Sequence, residues 1–368
     1  MSVARGRMDP GLAKPVVVIV TPAWAEANNG NWRTAQRWAQ HLAAKHTVVL
    51  MDVWPAGRAQ RFGSQASARS EEQASALALR ARAMIALHAR RSQASIEAWH
   101  RQRGARGLAV VLTGTDLYRD LPGDDGPAAH AVQRSLEAAQ AVVVLQDHAM
   151  QDLPADHRHK AQVIFQSTTT RMTLLKSDPL RHALRAVMVG HLREEKDPST
   201  LQQAARLIDA GAALADTPPI RIAHLGAALD PRFEFEARAT EAAAPHYRWL
   251  GACTHRQTRE RIQRAHVLVH TSRSEGGAHV IMEAVCSGTP VLASRMAGNL
   301  GMLGDDYAGY FEVGDAAGLA AALRRFQCDA EFRATLHRQC AERAGLFTPA
   351  AEAKAVDTLV ATLLGAAG

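Results

Sequence analysis

The chain has 368 residues, 47% of them hydrophobic and 21% charged, with a formal net charge of +7 at pH 7. That length exceeds one ordinary domain and suits two compact ones, and the apolar share supplies real cores, which excludes a disordered or fibrous chain. The positive balance permits an anionic partner, but the arginines are scattered without interleaved aromatics, so nucleic-acid binding is not expected.

Residues 1–14 read as a loose tail, and the VVVIV that follows is too short for a signal-peptide core. No segment approaches the ~18 apolar residues of a membrane span. The four cysteines, Cys253, Cys286, Cys328 and Cys340, show no CxxC pairing and no histidines at zinc-finger spacing, as expected of reduced thiols in a cytoplasmic protein. PVVVIVTPA, from Pro15, predicts a buried strand; a loop at Asn28-Asn29-Gly30-Asn31 and a helix over WRTAQRWAQHLAAKH come next. HTVVLMDV is a second strand, the alanine-rich stretch from Glu71 a helix, and MIALHA a third strand. GLAVVLTGTD, AQAVVVLQD and AQVIFQS supply further strands, and Asp124-Asp125 in GDDG reads as a solvated turn. From Thr168 to about Arg185 the alternation fails and SDP marks a linker. RAVMVG, IRIAHLG, YRWLG, AHVLVHTS and TPVLAS form a second series, and a helix from Pro349 closes the chain. This alternation predicts an α/β protein of two Rossmann-like, doubly wound domains facing a central cleft. Residues 15–175 are expected to form the first domain and 176–348 the second, with 349–368 as a C-terminal helix that can pack on either domain, including back on the first.

Three strand-to-helix stretches of the second half are where chemistry is expected, because ligands of such sheets sit beyond the carboxyl ends of the strands. In VMVGHLREEKDPST, Asp197 and Pro198 suit the N-cap and first position of a helix, which places Arg193 and Lys196 beside an anion-favouring N-terminus where a pyrophosphate fits. In YRWLGACTHRQTRERI, Thr254 and Gln257 form a capping box, and Gly251-Ala252 leaves room for a flat base. In SEGGAHVIMEAVCSGTPV, from Ser274, Gly276 and Gly277 let the backbone approach a ligand, and Glu275 and Glu283 can each accept hydrogen bonds from vicinal hydroxyls. The bland alternatives are a solvated Lys196 and a helix-start Glu275. For Glu283, inside the apolar VIMEAV, an unpaired acid is costly, which favours function.

These residues carry a resemblance. EGGAHVIME, a glutamate pair separated by seven residues, followed by CSGTPVLAS, resembles the retaining glycosyltransferases of family 4 with the GT-B fold, and VGHLREEKDP resembles their phosphate segment. The likeness runs through nearly the whole chain in order and is strongest from Val187 to Gly314. It implies a UDP-sugar donor. Glu275 would contact the sugar, Glu283 the ribose, and Lys196 with the amides of Gly276, Gly277 and Ala278 the pyrophosphate; Lys196 and Glu275 are the implied catalytic residues, with His191, Arg193 and Gly251 as further donor contacts. His191 stands where the family usually has arginine, Gly276-Gly277-Ala278-His279-Val280 replaces the usual Gly-Phe-Gly-Leu-Pro, and the fourth strand ends in Thr113-Gly114-Thr115-Asp116 where a histidine is common.

Gly30 and Arg33 after the first strand, His88, Arg90 and Arg91 after the third, and Thr115, Asp116 and Arg119 after the fourth form the acceptor side. Several arginines with few acids point to a small anion rather than a neutral acceptor, unless they are only surface charges. ALHARRS together with VVLTGTDLYRDL resembles the selenosugar synthases of selenoneine biosynthesis, which implies selenophosphate as acceptor and UDP-N-acetylglucosamine or UDP-glucose as donor, with no metal or cofactor. The competing expectations are a glycosyltransferase acting on a hydroxyl, a nucleotide-sugar epimerase, and a basic nucleic-acid module.

Overall fold

The computed structural model describes residues 14–24, 26, 30–65, 67–122, 126–210 and 217–365. The expected tail up to residue 13, Asn28-Asn29 and the Asp124-Asp125 turn lie outside them. Contact density divides the chain into two units: residues 1–111, 130–142 and 355–368, and residues 112–129 with 143–354. Residues 112–129 and 143–175, assigned to the first domain by the sequence pattern, thus cluster with the second unit.

One sheet holds seven strands: β1 (Val16–Val20), β2 (Thr47–Met51), β3 (Ala59–Arg61), β4 (Ala83–Leu87), β5 (Leu108–Val111), β6 (Ala141–Val144) and β7 (Ala161–Val163), in the order β3-β2-β1-β4-β5-β6-β7. The β1·β2, β1·β4 and β4·β5 ladders are parallel, and their valine, isoleucine and leucine runs are buried on both faces, as a helix-covered parallel sheet requires. Only β2·β3 is antiparallel among the described ladders. The sequence did not announce β3, because Ala59–Arg61 is an edge strand with no apolar run. The first helix, Gly30–Leu42, begins two residues before the expected Trp32, so Gly30 and Asn31 are its first turn rather than loop. The first unit takes the last helix, Pro349–Leu364, from residue 355 onward, and there Asp357 pairs with Lys45 at 2.6 Å.

The second sheet comprises β8 (Leu184–Val189), β9 (Ile220–Leu225), β10 (Tyr247–Trp249), β11 (Val267–His270), β12 (Val291–Ser294) and β13 (Tyr310–Phe311), in the order β10-β9-β8-β11-β12-β13. All its ladders are parallel. Taken in chain order this is the 3-2-1-4-5-6 arrangement of a Rossmann sheet, so its topological switch point falls between β8 and β11. Helix Pro198–Ala210 packs on both Pro231–Ala243 and Ala316–Cys328, and His255–Arg264 packs on His279–Val285. The first sheet switches direction between β1 and β4 in the same way. Among the described residues no helix is long and apolar enough to cross a membrane.

Candidate functional site

The loops after β8 and β11 flank the switch point of the second sheet and are stitched together. Beyond Gly190 the chain makes one 3-10 turn, Glu194–Lys196, before helix Pro198–Ala210. Asp197 joins the two with a left-handed φ of 46°, a conformation aspartate tolerates better than most residues. It directly precedes a helix that begins at Pro198, the position the sequence gives it, with a left-handed rather than an extended backbone. Its buried carboxylate accepts the Thr200 hydroxyl at 2.7 Å and pairs with Arg273 at 3.2 Å. The Lys196 carbonyl accepts the Thr271 hydroxyl at 2.7 Å, and the Glu195 carbonyl accepts the Arg273 amide at 2.9 Å.

Across this junction the Lys196 ammonium forms a salt bridge with Glu275. The Ser272 hydroxyl donates to the same carboxylate oxygen at 3.1 Å and lies 3.2 Å from Nε2 of His270. Burial alone would raise the Glu275 carboxyl, but Lys196, His270 and Ser272 outweigh it and hold it below the usual carboxylate value. Burial and then Lys196 push His270 down to about 4, so its imidazole is neutral at pH 7. The arrangement is a fixed cation beside a helix N-terminus, suited to an anionic group.

The glycine loop is dictated by close approach. A Cβ on Gly276 would stand 2.5 Å from the Thr113 carbonyl oxygen and 2.7 Å from the Gly114 nitrogen, while one on Gly298 would stand 2.2 Å from the Glu275 carbonyl oxygen. Glu275 and Gly276 are thus threaded between two other stretches of backbone of the same unit. Asp116 sets one of them: fully buried, it accepts the amides of Thr113 and Gly114 at 2.9 Å each and of Leu117 at 3.2 Å. Thr115 and Asp116, placed on the acceptor side by the sequence, belong to the unit that holds the glycine loop, and the Asp116 carboxylate shapes that loop's neighbour. A Cβ on Gly277 would stand 3.3 Å from the Leu145 Cβ, and Ala278 is the buried N-cap residue of helix His279–Val285.

Glu283 is 4% exposed and its charge is answered: Oε1 lies 2.7 Å from Nε2 of His255 and 4.0 Å from the buried Arg259 guanidinium. Arg259 also donates to the Thr169 carbonyl at 2.8 Å and to the Thr168 hydroxyl. His255 and Arg259 stand four apart on one face of helix His255–Arg264, whose Thr254–Gln257 capping box forms as the sequence indicates. Sequence reasoning passed over both; their i, i+4 spacing was the available signal. Gly251 has φ +65° with open space around it, and its carbonyl accepts the Gly226 amide at 2.8 Å. His191 is exposed and accepts the Ala227 amide at 3.1 Å; burial of part of its ring and then Arg193 and Lys196 lower its pKa, so it carries less charge than an arginine would. Arg193 lies 3.7 Å from Glu195.

In the first unit, Gly30 and Arg33 lie on the first turn of the helix after β1, and His88, Arg90 and Arg91 follow β4. They therefore flank the switch point of that sheet. His88 is 2% exposed with φ 70°, strained for a residue bearing a Cβ, and its Nδ1 accepts the Arg91 amide at 3.5 Å. Arg90 is half-buried and Arg91 exposed. No group of three or more potential metal-ligating side chains occurs among the described residues.

Residues 181–343 match the family model described as "Glycosyl transferases group 1". The fold is similar to sucrose-phosphate synthase from Thermosynechococcus elongatus, with TM-score 0.71, 18% identity and coverage of 96% of this chain and 100% of that one. It is also similar to Anabaena HepE in complex with UDP and glucose, with TM-score 0.65, 14% identity and coverage of 95% and 100%. A TarM mutant of S. aureus, in complex with Fondaparinux, alpha-GlcNAc-glycerol and UDP, matches with TM-score 0.57 and 12% identity over 76% of this chain; the chain spans 55% of TarM. The two parallel α/β units are the Rossmann-like pair of the GT-B glycosyltransferase fold, and the second carries the group 1 pattern.

Proposed function

We propose that the protein transfers a sugar from a UDP-sugar to selenophosphate. The observation that carries the donor half is the Lys196–Glu275 salt bridge at the switch point, inside the segment matching group 1 glycosyl transferases. HepE and TarM, both solved with UDP, support the choice of nucleotide. Lys196, held by Glu275, faces charge that develops on the leaving diphosphate, and Glu283 receives the ribose hydroxyls. No metal is called on.

The acceptor half rests on the resemblance to selenosugar synthases and on the cationic loops of Arg33, His88, Arg90 and Arg91. Selenium of selenophosphate attacks the anomeric carbon while the bond from that carbon to the UDP oxygen breaks, its electron pair leaving with UDP. Water then cleaves the phosphorus–selenium bond and releases phosphate. An ionised selenium nucleophile needs no general base, which agrees with the absence of histidine from Thr113–Asp116. A hydroxyl acceptor is the second reading, supported by the alpha-GlcNAc-glycerol bound to TarM.

Mass spectrometry of the protein with UDP-N-acetylglucosamine or UDP-glucose, with and without selenophosphate under anaerobic conditions, separates the two. A selenium-bearing sugar appearing in step with UDP is expected; donor binding without that product refutes the acceptor and leaves the hydroxyl reading. Glu283→Ala is expected to weaken UDP binding by about tenfold or more, read by calorimetry, because a charged hydrogen-bond acceptor is lost. Arg90→Ala is expected to leave UDP binding unchanged and to raise the acceptor KM by about tenfold. Equal acceptor KM in that variant and wild type would remove Arg90 from the site.

A further inference from the structure

A groove of about 900 Å3 lies along β8, β9 and β10, and residues of helix His255–Arg264 and of Leu174–Lys176 complete its lining. Six cations line it: Lys176, Arg185, Arg221, Arg248, Arg261 and Arg264. The one acid on the lining, Glu260, is engaged by Arg256 at 3.0 Å.

The placement of the arginines is not that of scattered surface charge. Arg185 and Arg221 are register partners on adjacent parallel strands, and Arg248 pairs with Ala223, two residues along from Arg221 on the same face. Strands run about 4.8 Å apart, and like charges directly opposite destabilise a sheet. Arg261 and Arg264, three apart on the helix, add two more. The bonds these cations make among the described residues go to neutral groups: Arg185 to Ser177 Oγ and the Arg264 carbonyl at 3.2 Å, Lys176 to Thr289 Oγ1 at 3.0 Å, Arg248 to the Tyr247 carbonyl at 3.1 Å. Burial and then Arg185 lower the Lys176 ammonium to about 8, as expected of a cation beside cations.

We propose that this groove binds a soluble oligophosphate, a ligand carrying two or more phosphates in series, at a site separate from Lys196 and Glu275. Guanidinium forks pair with phosphate oxygens in bidentate fashion, and a ligand with several phosphates neutralises adjacent arginines together. The volume is that of a small-molecule site, and the charges line a concavity that a flat bilayer does not enter. The inference does not rest on the glycosyltransferase reading.

The test is calorimetry of inorganic tripolyphosphate with the full-length protein, its Arg221→Ala/Arg248→Ala variant and its Lys196→Ala variant. Wild type is expected to bind; the double arginine variant is expected to bind at least tenfold more weakly, and Lys196→Ala within twofold of wild type. Because Arg221 opposes Arg185, the double variant without ligand should melt at or about 1–3 °C above wild type, which also verifies its fold. Arg264→Ala gives a second reading and should lose several-fold in affinity. Failure of wild type to bind, equal binding by both arginine variants, or loss confined to Lys196→Ala overturns the proposal. So does arginine-dependent binding to anionic phospholipid vesicles or to RNA that tripolyphosphate does not displace.

Discussion

In the proposed reaction Lys196→Ala is expected to lower kcat/KM by about 100- to 1,000-fold, the usual loss when a preorganised charge facing a leaving group is removed. It should also destabilise the protein. The salt bridge is largely withdrawn from water, with side-chain exposures of 15% and 16%, so its removal leaves Glu275 with only Ser272 and the neutral His270 for company. Breaking a fully buried pair costs about 3–5 kcal/mol, and the residual exposure here points to about 2–3 kcal/mol. Adding Glu275→Gln should return most of that stability without restoring the rate, which separates charge balance from catalysis. The pH dependence has a definite sign. In wild type the folded Glu275 pKa lies below its unfolded value, so the stabilisation is present above the unfolded pKa and is lost as pH falls through the folded one. In Lys196→Ala burial dominates and raises the folded pKa, so stability should fall as pH rises from about 4 through the raised value. Melting curves from pH 4 to 6 read the difference; a variant that melts like wild type throughout shows that the pair contributes nothing to the fold.

The parts of this architecture written in local pattern were legible in the sequence, and those written in tertiary contact were not. Runs such as VVVIV and VLVH give buried strands because a parallel sheet buries both faces, and Thr254 with Gln257 gives its helix start because a capping box is a four-residue device. Ala59–Arg61 and Tyr310–Phe311 are too short to show a period. Glu283 looked anomalous in VIMEAV, and the anomaly was real, but its answer came from His255 and Arg259 on another helix. TGTD reads as an acceptor loop, and the Asp116 carboxylate in it also binds the loop's own backbone amides, a contact that no sequence pattern announces. Five of the arginines that read as scattered along the chain line one groove, with Arg185, Arg221 and Arg248 on one face of three neighbouring strands. His88 and Asp197, the two non-glycine residues with positive φ among those described, stand at the switch points of the first and second sheets. Strain held at such loops marks places where position matters more than stability, and no sequence pattern announces it.

Gly276→Ala should be strongly damaging for the addition of a single methyl group. The added Cβ would lie 2.5 Å from the Thr113 carbonyl oxygen and 2.7 Å from the Gly114 nitrogen, both backbone atoms that no rotamer change can move. Thr113 and Gly114 cannot retreat easily, because Asp116 holds both amides at 2.9 Å. Nor can the loop slide the other way, since Gly298 is itself packed so close to the Glu275 carbonyl that it tolerates no Cβ. The clash must therefore displace Glu275, and with it the salt bridge to Lys196. A destabilisation of about 2–4 kcal/mol, in the range of overpacked cores plus the loosened ion pair, and a loss of donor turnover beyond about 100-fold are expected. Gly277→Ala is the control one residue along: its Cβ would meet the Leu145 Cβ at 3.3 Å, a contact relieved by a shift of a few tenths of an ångström. That variant should melt within a few degrees of wild type and keep most of its turnover. If both alanines behaved alike, the threading of Glu275 and Gly276 between two backbones would not be what positions the donor site.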